Sequence, residues 1–277
     1  MKRSQKPRIK DRTQPMDRSQ NVRALQLPQI TPKTENQKEF VQALRTNQLV
    51  IGAGSAGTGK TMLSIYHAAS QLHYGAVKKI VLLRAYQPLA GRSIGFLPGT
   101  AEEKLIPYYR QMLDYLEDFL GKAAVEIHMK RGSIEICSLE TIRGRSWDYC
   151  TVVCDESQNL YAEEIQALTT RIGEGSQLIL IGDDSGIQTD IRNKKDGLSY
   201  LLGIVQKYNI EDVGLVRFGY NDILRSDITR DFVIAFDKEL QNEKQGKSLQ
   251  SSQPAKTQPK KKSALVTRKE NDENYEV

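Results

Sequence analysis

Short, nearly continuous apolar runs alternate along the chain with longer segments in which apolar residues recur every three or four positions. A run of four to six apolar residues bounded by turn-forming residues is typical of a strand buried on both faces of a parallel sheet. The longer segments have the period of an amphipathic helix. We predict strands at 48–53, 79–84, 151–155, 177–183 and 213–218. We predict helices at 60–73, 102–120, 161–171, 197–207 and 227–240.

The alternation of strands and helices predicts an α/β fold with a doubly wound, mostly parallel sheet, because parallel neighbours need a crossover that is usually a helix. The stretch 125-VEIHMKRGSIEICSL-139 breaks the pattern. Alternating residues flank Lys130-Arg131-Gly132-Ser133 there, which predicts an inserted β-hairpin. We find no internal repeat.

The formal net charge of +6 over 277 residues is concentrated at the two ends. Residues 1–33 hold nine lysines and arginines against two aspartates, and residues 241–277 hold eight against five acidic residues. Both segments are poor in large apolar side chains, so we expect disordered basic tails around one globular domain at 34–240. Basic tails favour a polyanionic partner, although tails that only aid solubility are an equally good explanation of charge alone.

Several classes of protein are disfavoured by composition. No apolar run approaches the ~20 residues that span a bilayer, and the basic N-terminus has no apolar segment after it, so we expect neither a membrane anchor nor a secretory signal. Three cysteines without a Cys-x-x-Cys motif argue against a disulfide scaffold or structural zinc, and buried thiols in the cytoplasm are the simpler interpretation. The three histidines share no metal-ligand spacing.

The first predicted strand runs directly into 54-GSAGTGKT-61, which fits the phosphate-binding pattern G-x-x-x-x-G-K-[ST] at every fixed position. Glycines let successive backbone N–H groups face an anion, and the helix that follows adds its positive end. We expect Lys60 to reach the β- and γ-phosphates of ATP and the Thr61 hydroxyl to bind Mg²⁺. The predicted nucleotide contacts are Gly54, Ser55, Ala56, Gly57, Thr58, Gly59, Lys60 and Thr61.

The stretch 151-TVVCDESQN-159 ends an apolar run in two adjacent acids. In a P-loop sheet a second buried strand ends beside the first, and its terminal acid, here Asp155, binds the metal ion directly or through water. The neighbouring Glu156 is then expected to orient and deprotonate the attacking water from the other side of the strand. Helix capping is the structural alternative, but it would need only one of the two acids.

The next predicted strand ends at Asp183, in 179-LILIGDDSGIQTD-191. We expect Asp183 to lie beside the P-loop and to sense the γ-phosphate, because its strand belongs to the same sheet. The alternative is a Gly-Asp-Asp turn that contacts no nucleotide.

At this point the chain resembles the PhoH-like ATPases and, through them, the ATP-binding half of superfamily-one helicases. The resemblance covers roughly residues 34–240 and rests on a specific combination of segments in one order. Those segments are 36-NQKEFVQAL-44, 54-GSAGTGKT-61, 94-IGFLPG-99, 104-KLIPYYRQMLDYL-116, 142-IRGRSW-147, 153-VCDESQN-159, 181-IGDDSGIQ-188 and 217-RFGYNDILRS-226.

The resemblance implies a RecA-like fold and ATP hydrolysis. It implies that Gln37 reads the adenine and that Gln158 contacts the γ-phosphate or a nucleic acid. Two positions depart from the family pattern. Ser157 replaces the usual alanine, and Gly186 stands where the family carries a sensor glutamine, with Gln188 two residues further on.

A two-domain helicase supplies an arginine to ATP from its second domain, and no second P-loop-like sheet fits in this chain. The arginine must then come from the same domain or from a neighbouring subunit. Besides Arg84, the candidates are Arg143, Arg145, Arg171, Arg217 and Arg225. For any single one of them an ordinary surface ion pair is the better explanation.

Two functions fit these observations. The first is an ATPase coupled to RNA or single-stranded DNA, which the basic tails, the Lys130-Arg131 pair and the helicase resemblance favour. The second is a nucleotide-gated assembly protein with slow turnover and no nucleic-acid substrate. A small-molecule kinase fits less well because no arginine-rich lid is evident, and no separate acidic cluster indicates a nuclease.

An arginine supplied between subunits predicts a ring-forming homo-oligomer, most plausibly a hexamer, with ATP between subunits. Light scattering should then give a mass several times that of the 31.3 kDa chain when ATP is present. A monomer both with and without ATP would contradict this expectation.

Overall fold

The computed structural model describes residues 26–85, 101–142, 144–183 and 197–250. Six strands form one sheet within them. They are β1 (Leu49–Gly54), β2 (Lys79–Arg84), β3 (Ile134–Cys137), β4 (Cys150–Asp155), β5 (Gln177–Gly182) and β6 (Val213–Phe218). The α-helices are α1 (Glu35–Thr46), α2 (Lys60–His73), α3 (Ala101–Leu120), α4 (Lys122–Lys130), α5 (Ala162–Thr169), α6 (Gly197–Tyr208) and α7 (Asp227–Gln250). All five predicted strands and all five predicted helices are confirmed, with ends that differ by a few residues except in α7.

The strand order is β3-β2-β4-β5-β1-β6, and every pair is parallel. The doubly wound α/β class is therefore confirmed. One expectation about this sheet is wrong. The Asp155 strand β4 does not lie beside the P-loop strand β1, because β5 lies between them and pairs with both.

Alternate residues of each strand pack into two separate cores. In β1, for example, Val50 belongs to the core that also holds side chains of α1, α2, α3 and α4, whereas Ile51 belongs to the core that holds side chains of α5 and α6. Both side chains are completely buried, as are their counterparts in β4 and β5. Burial of each large apolar side chain stabilises the fold by about 1.5–3 kcal/mol. The sheet is thus covered on both faces, which is why its strands read as continuous apolar runs.

The predicted hairpin at 125–139 is wrong. Its first arm is the helix α4, and its second arm is β3, which pairs parallel with β2. Val125 is buried in the core whereas Ile127 is 47% exposed. Apolar residues two positions apart therefore do not share one buried face here, as they would in a strand. Lys130 and Arg131 therefore lie at the C-terminal end of a helix, where positive charge favours the helix dipole.

The ends of the domain also differ from expectation. Leu27 is buried and Ile30 packs against the α1–α4 core, so the first ordered residues precede the predicted boundary at 34. Helix α7 continues to Gln250, beyond the predicted boundary at 240. Residues 1–25 and 251–277 lie outside the described residues, and the assignment of 34–240 as the ATPase domain stays a prediction.

Contacts divide the chain into two units, residues 1–234 and 235–277. The first holds the sheet, the helices α1 to α6 and the start of α7, and the second holds the rest of α7. Within the described parts of the chain, no helix is both long enough and apolar enough to cross a membrane.

A buried polar network ties α1, α2 and β5 together. The Gln177 amide donates to Leu44 O and Asn47 O, both at 2.7 Å, and its Oε1 lies 2.9 Å from His67 Nε2. Since both amide hydrogens are used, Gln177 Oε1 must accept a hydrogen bond from neutral His67. Burial lowers the pKa of His67 to about 4 against the opposing effect of this hydrogen bond, and the positive charge of Arg45 lowers it further.

This network predicts a stability change with pH. Between about pH 6.5 and 4 the unfolded chain binds a proton at His67 while the folded chain does not, so the free energy of unfolding falls as pH falls through that window. His67→Gln, which keeps a donor but does not titrate, should remove about 2 kcal/mol of that fall. Denaturant unfolding at pH 7 and pH 4.5 measures the difference, with His73→Gln as the matched control. An unchanged pH dependence in His67→Gln would contradict the assignment.

Candidate functional site

The P-loop, residues 54–61, joins β1 to α2 at the carboxyl edge of the sheet. Gly54 has a backbone φ of +130°, and Phe218 O, at the end of β6, occupies the space that a side chain at position 54 would need. Only glycine fits there, because any larger residue would be both strained and in collision with backbone. The close approach between β1 and β6 therefore fixes where the loop begins.

Lys60 lies folded over the loop that it follows. Its Nζ donates to Gly54 O and Ser55 O, both at 2.7 Å, and to Thr58 Oγ1 at 3.2 Å. The side chain is 9% exposed. This buried ammonium group lines the cleft described below and is suited to pair with an anion there.

Gln37 connects α1 to the same loop. Its Nε2 donates to Thr58 O at 2.9 Å, and its Oε1 accepts from Lys33 N at 2.7 Å. The Thr34 hydroxyl, which caps α1, accepts from Gln37 N at 3.2 Å. The amide thus holds the P-loop in place, and its contact with adenine stays a prediction.

Asp155 is the last residue of β4, and its strand position directs it to the face covered by α2. Thr61 Oγ1 donates to its Oδ1 at 3.5 Å, and the residue is 7% exposed. Burial, and after it the neighbouring Glu156 carboxylate, raise the pKa of Asp155 to about 6. A buried carboxylate beside a hydroxyl, with too little positive charge around it, fits a divalent cation.

No cluster of three or more histidine, cysteine or acidic side chains able to hold a metal ion occurs among the residues that the structure describes. Thr61 and Asp155 fit Mg²⁺ nonetheless, because this ion is usually held by one or two protein oxygens together with phosphate oxygens and water.

Glu156 does not lie on the opposite side of the strand, as the alternation predicted. Its backbone turns into the left-handed region at φ 55° and ψ 37°, just past the end of β4. Both Asp155 and Glu156 consequently line one cleft. Glu156 Oε1 accepts from Arg84 Nη2 at 3.2 Å, and its Oε2 accepts from Gln158 Nε2 at 2.7 Å.

Gln158 links the ends of two strands. While its Nε2 donates to Glu156, its Oε1 accepts from Asp183 N at 3.0 Å. Gly182 leaves room for this amide, since a side chain there would collide with Gln158 Oε1. Asp183, 5% exposed, follows β5 directly and lines the cleft beside the P-loop strand, where its sensor role was predicted. Gly186 and Gln188 lie outside the described residues, as does 94-IGFLPG-99.

The arginine candidates separate by position. Arg225 lines the cleft: its Nε lies 3.0 Å from the point where a Cβ on Gly57 would be, and Leu224 N donates to Gly57 O at 3.0 Å. Arg145 is bound to Glu135, and Arg171 donates to Ile142 O at 2.9 Å and Ala167 O at 2.7 Å.

Arg217 is exposed on β6, and Arg143 lies outside the described residues. Of the candidates that the structure describes, Arg225 alone lines the cleft.

Two positioning contacts were not foreseen from the sequence. Asp222 Oδ2 accepts from Asn36 Nδ2 at 2.7 Å and from Gly219 N at 2.8 Å, which fixes the segment that carries Arg225 against α1. Arg84, considered only as a possible arginine for ATP, is an ion-pair partner of Glu156. The resemblance included 217–226 as a motif, but no local pattern indicates either partner.

The whole cleft has a volume of about 360 Å³. It is bounded by the P-loop, the ends of β4 and β5, the Leu224–Arg225 segment, and Gln111 and Tyr115 of α3. Two cationic side chains, Lys60 and Arg225, and three carboxylates line it, a set of groups able to bind a phosphate chain together with a metal ion.

The chain is similar in sequence to proteins of one family. A family model described as PhoH-like protein matches residues 29–237. The PhoH-like protein of Bacillus subtilis (strain 168) is 39% identical over 210 residues, which cover 76% of this chain and 65% of that protein. Protein PhoH of Escherichia coli (strain K12) is 35% identical over 200 residues, which cover 71% and 55% respectively. The chain thus spans between about half and two thirds of the length of these curated relatives.

Among solved structures, the SWI2/SNF2 ATPase core domain of Sulfolobus solfataricus matches with a TM-score of 0.35 and 14% identity, over 59% of this chain and 34% of that one. The Phi-28 gp11 DNA packaging motor also matches with a TM-score of 0.35, at 16% identity, over 73% and 65%. The fold assignment made above rests on the sheet of this chain itself.

Proposed function

The chain belongs to the PhoH-like protein family, and from that premise we propose that it binds ATP with Mg²⁺ and hydrolyses the γ-phosphate. One observation carries the proposal: Lys60, the Thr61–Asp155 pair and Glu156 all line one cleft at the carboxyl edge of the sheet. Phosphoryl transfer needs little covalent chemistry from the protein, so the proposed work of these residues is positioning and charge compensation.

Each group has a distinct proposed role. The P-loop N–H groups and Lys60 bind the phosphates, and Thr61 and Asp155 would hold Mg²⁺, which would offset the charge of the phosphates. Glu156 accepts a proton from the attacking water. Gln158 and Asp183, joined by a hydrogen bond, respond to the presence of the γ-phosphate.

We propose Arg225 as the arginine that stabilises charge developing on the phosphates, because it reaches the cleft within the same chain. A cation supplied in this way does not require a neighbouring subunit. The ring-forming hexamer, which follows from an arginine supplied between subunits, stays a prediction, and Arg143, Arg145, Arg171 and Arg217 are candidates for that contact.

We propose further that hydrolysis is coupled to RNA or single-stranded DNA. The basic segments 1–33 and 241–277 support this, since phosphate neutralisation dominates non-specific nucleic-acid binding. The helicase resemblance of the motifs supports it as well. Lys130 and Arg131 lie at the end of a helix and not at a hairpin tip, so they do not support nucleic-acid binding in the way that the sequence suggested.

The hydrolytic roles predict different defects for two substitutions. Lys60→Ala should weaken ATP binding by at least about thirtyfold, because a buried charge partner of the phosphates is lost. Glu156→Gln should leave Mg²⁺–ATP affinity unchanged and lower kcat by about 10²- to 10⁴-fold. Equilibrium binding of a fluorescent ATP analogue and phosphate release measure the two effects. Turnover near the wild-type rate in Glu156→Gln would refute the general-base role.

Nucleic-acid coupling predicts that ATP turnover rises when RNA or single-stranded DNA is added. The measurement is kcat against a panel of both polymers of several lengths, at low and at physiological salt. Stimulation should weaken with salt, because phosphate contacts release counterions. ATP turnover that no polymer stimulates at low salt would favour the nucleotide-gated assembly protein instead.

A further inference from the structure

Glu156 is restrained on both sides. The Arg84 guanidinium binds one carboxylate oxygen at 3.2 Å and the Gln158 amide binds the other at 2.7 Å. The two ion-pair partners are partly shielded, with side-chain exposures of 23% for Arg84 and 38% for Glu156.

Arg84 is itself oriented by α3. It is the last residue of β2, paired in the sheet with Asp155. Its Nη1 donates to the main-chain oxygen of Tyr108 at 2.7 Å, and its backbone N–H donates to the Tyr109 hydroxyl at 3.1 Å. Two successive residues of α3 therefore hold Arg84, one at the side chain and one at the backbone.

The same helix borders the nucleotide cleft. Gln111 and Tyr115, about one and two turns beyond Tyr108, line it, whereas Arg84 does not. A displacement of α3 would thus alter the cleft wall and the Arg84–Glu156 ion pair together. Among the described residues, the Arg84 side chain donates a hydrogen bond to the main chain of α3 alone.

We propose that Arg84 is a positioning residue that holds Glu156 in a resting orientation, and that movement of α3 releases Glu156 to accept the proton of the attacking water. This deepens the proposed ATP hydrolysis and rests on it. Because Gln111 and Tyr115 of α3 line the cleft, the position of this helix connects the cleft wall to the restraint on Glu156.

The test compares Arg84→Met with Lys79→Met. Lys79 is the first residue of the same strand and forms an equivalent ion pair with Glu135 at 3.0 Å, away from the cleft. Arg84→Met should raise kcat without added nucleic acid by about two- to fivefold, the range that loss of one partly exposed ion pair allows. KM for ATP should stay unchanged, because Arg84 does not line the cleft. Lys79→Met should leave both constants as in the wild type.

Two further variants distinguish a specific restraint on Glu156 from a general loss of order around the site. Arg84→Lys keeps the charge but loses the planar fork, so its kcat should lie between the wild type and Arg84→Met. In a Glu156→Gln background, Arg84→Met should give no increase, because the gain acts through the carboxylate. A lower kcat in Arg84→Met, a changed KM, or an increase that persists without Glu156 would overturn the proposal.

Hydrogen exchange supplies a readout that does not depend on turnover. In Arg84→Met, amides of residues 155–159 should exchange faster than in the wild type, while those of the P-loop should not change. If the wild-type protein shows no ATPase activity, the proposed function fails, and the exchange comparison still decides whether Arg84 restrains Glu156. Unchanged exchange at 155–159 would refute the restraint.

Discussion

The carboxylates of Asp155, Glu156 and Asp183 line one cleft, and their negative charge must be compensated by the groups around them. Lys60 faces the cleft from the P-loop, and Arg84 pairs directly with Glu156. Compensation is incomplete at Asp155, where burial and the adjacent Glu156 raise the pKa to about 6. The site therefore favours a bound cation, and the nucleotide phosphates would in turn be drawn to the cation and to Lys60.

The regular geometry of the sheet places most of these groups. All six strands are parallel, so the carboxyl ends of β1, β4 and β5 meet at one edge. Burial on both faces fixes the direction of each strand residue, and Asp155 is thereby turned toward α2 and Thr61. Two residues depart from regular geometry at the site. Gly54 has no side chain, which leaves room for Phe218 O, and Glu156 adopts a left-handed conformation that brings its carboxylate to the same cleft.

Local patterns predicted what depends on local physics. The apolar runs identified five strands, and the P-loop and the Asp155-Glu156 pair were recognised because their spacing is dictated by phosphate and metal chemistry. Strand neighbours depend on long-range pairing, so the position of β5 between β1 and β4 could not be predicted from either strand alone. The same limit explains the error at 125–139, where short alternation resembled a hairpin but the residues form a helix and a parallel strand. Arg84 was a candidate among many because its partner lies 72 residues away in the chain.

Tyr109 has a role that its burial alone would not indicate. Its hydroxyl accepts from the backbone N–H of Arg84 and donates to Cys137 O at 2.8 Å, so one oxygen joins the ends of β2 and β3. The direction of this short relay is fixed, because an amide can only donate and a carbonyl can only accept. Phenylalanine would fill the same volume yet leave two buried backbone groups unpaired, a loss that costs more than the hydroxyl itself contributes. The hydroxyl of Tyr109 thus fixes the end of β2, and with it Arg84, by a hydrogen bond that phenylalanine cannot replace.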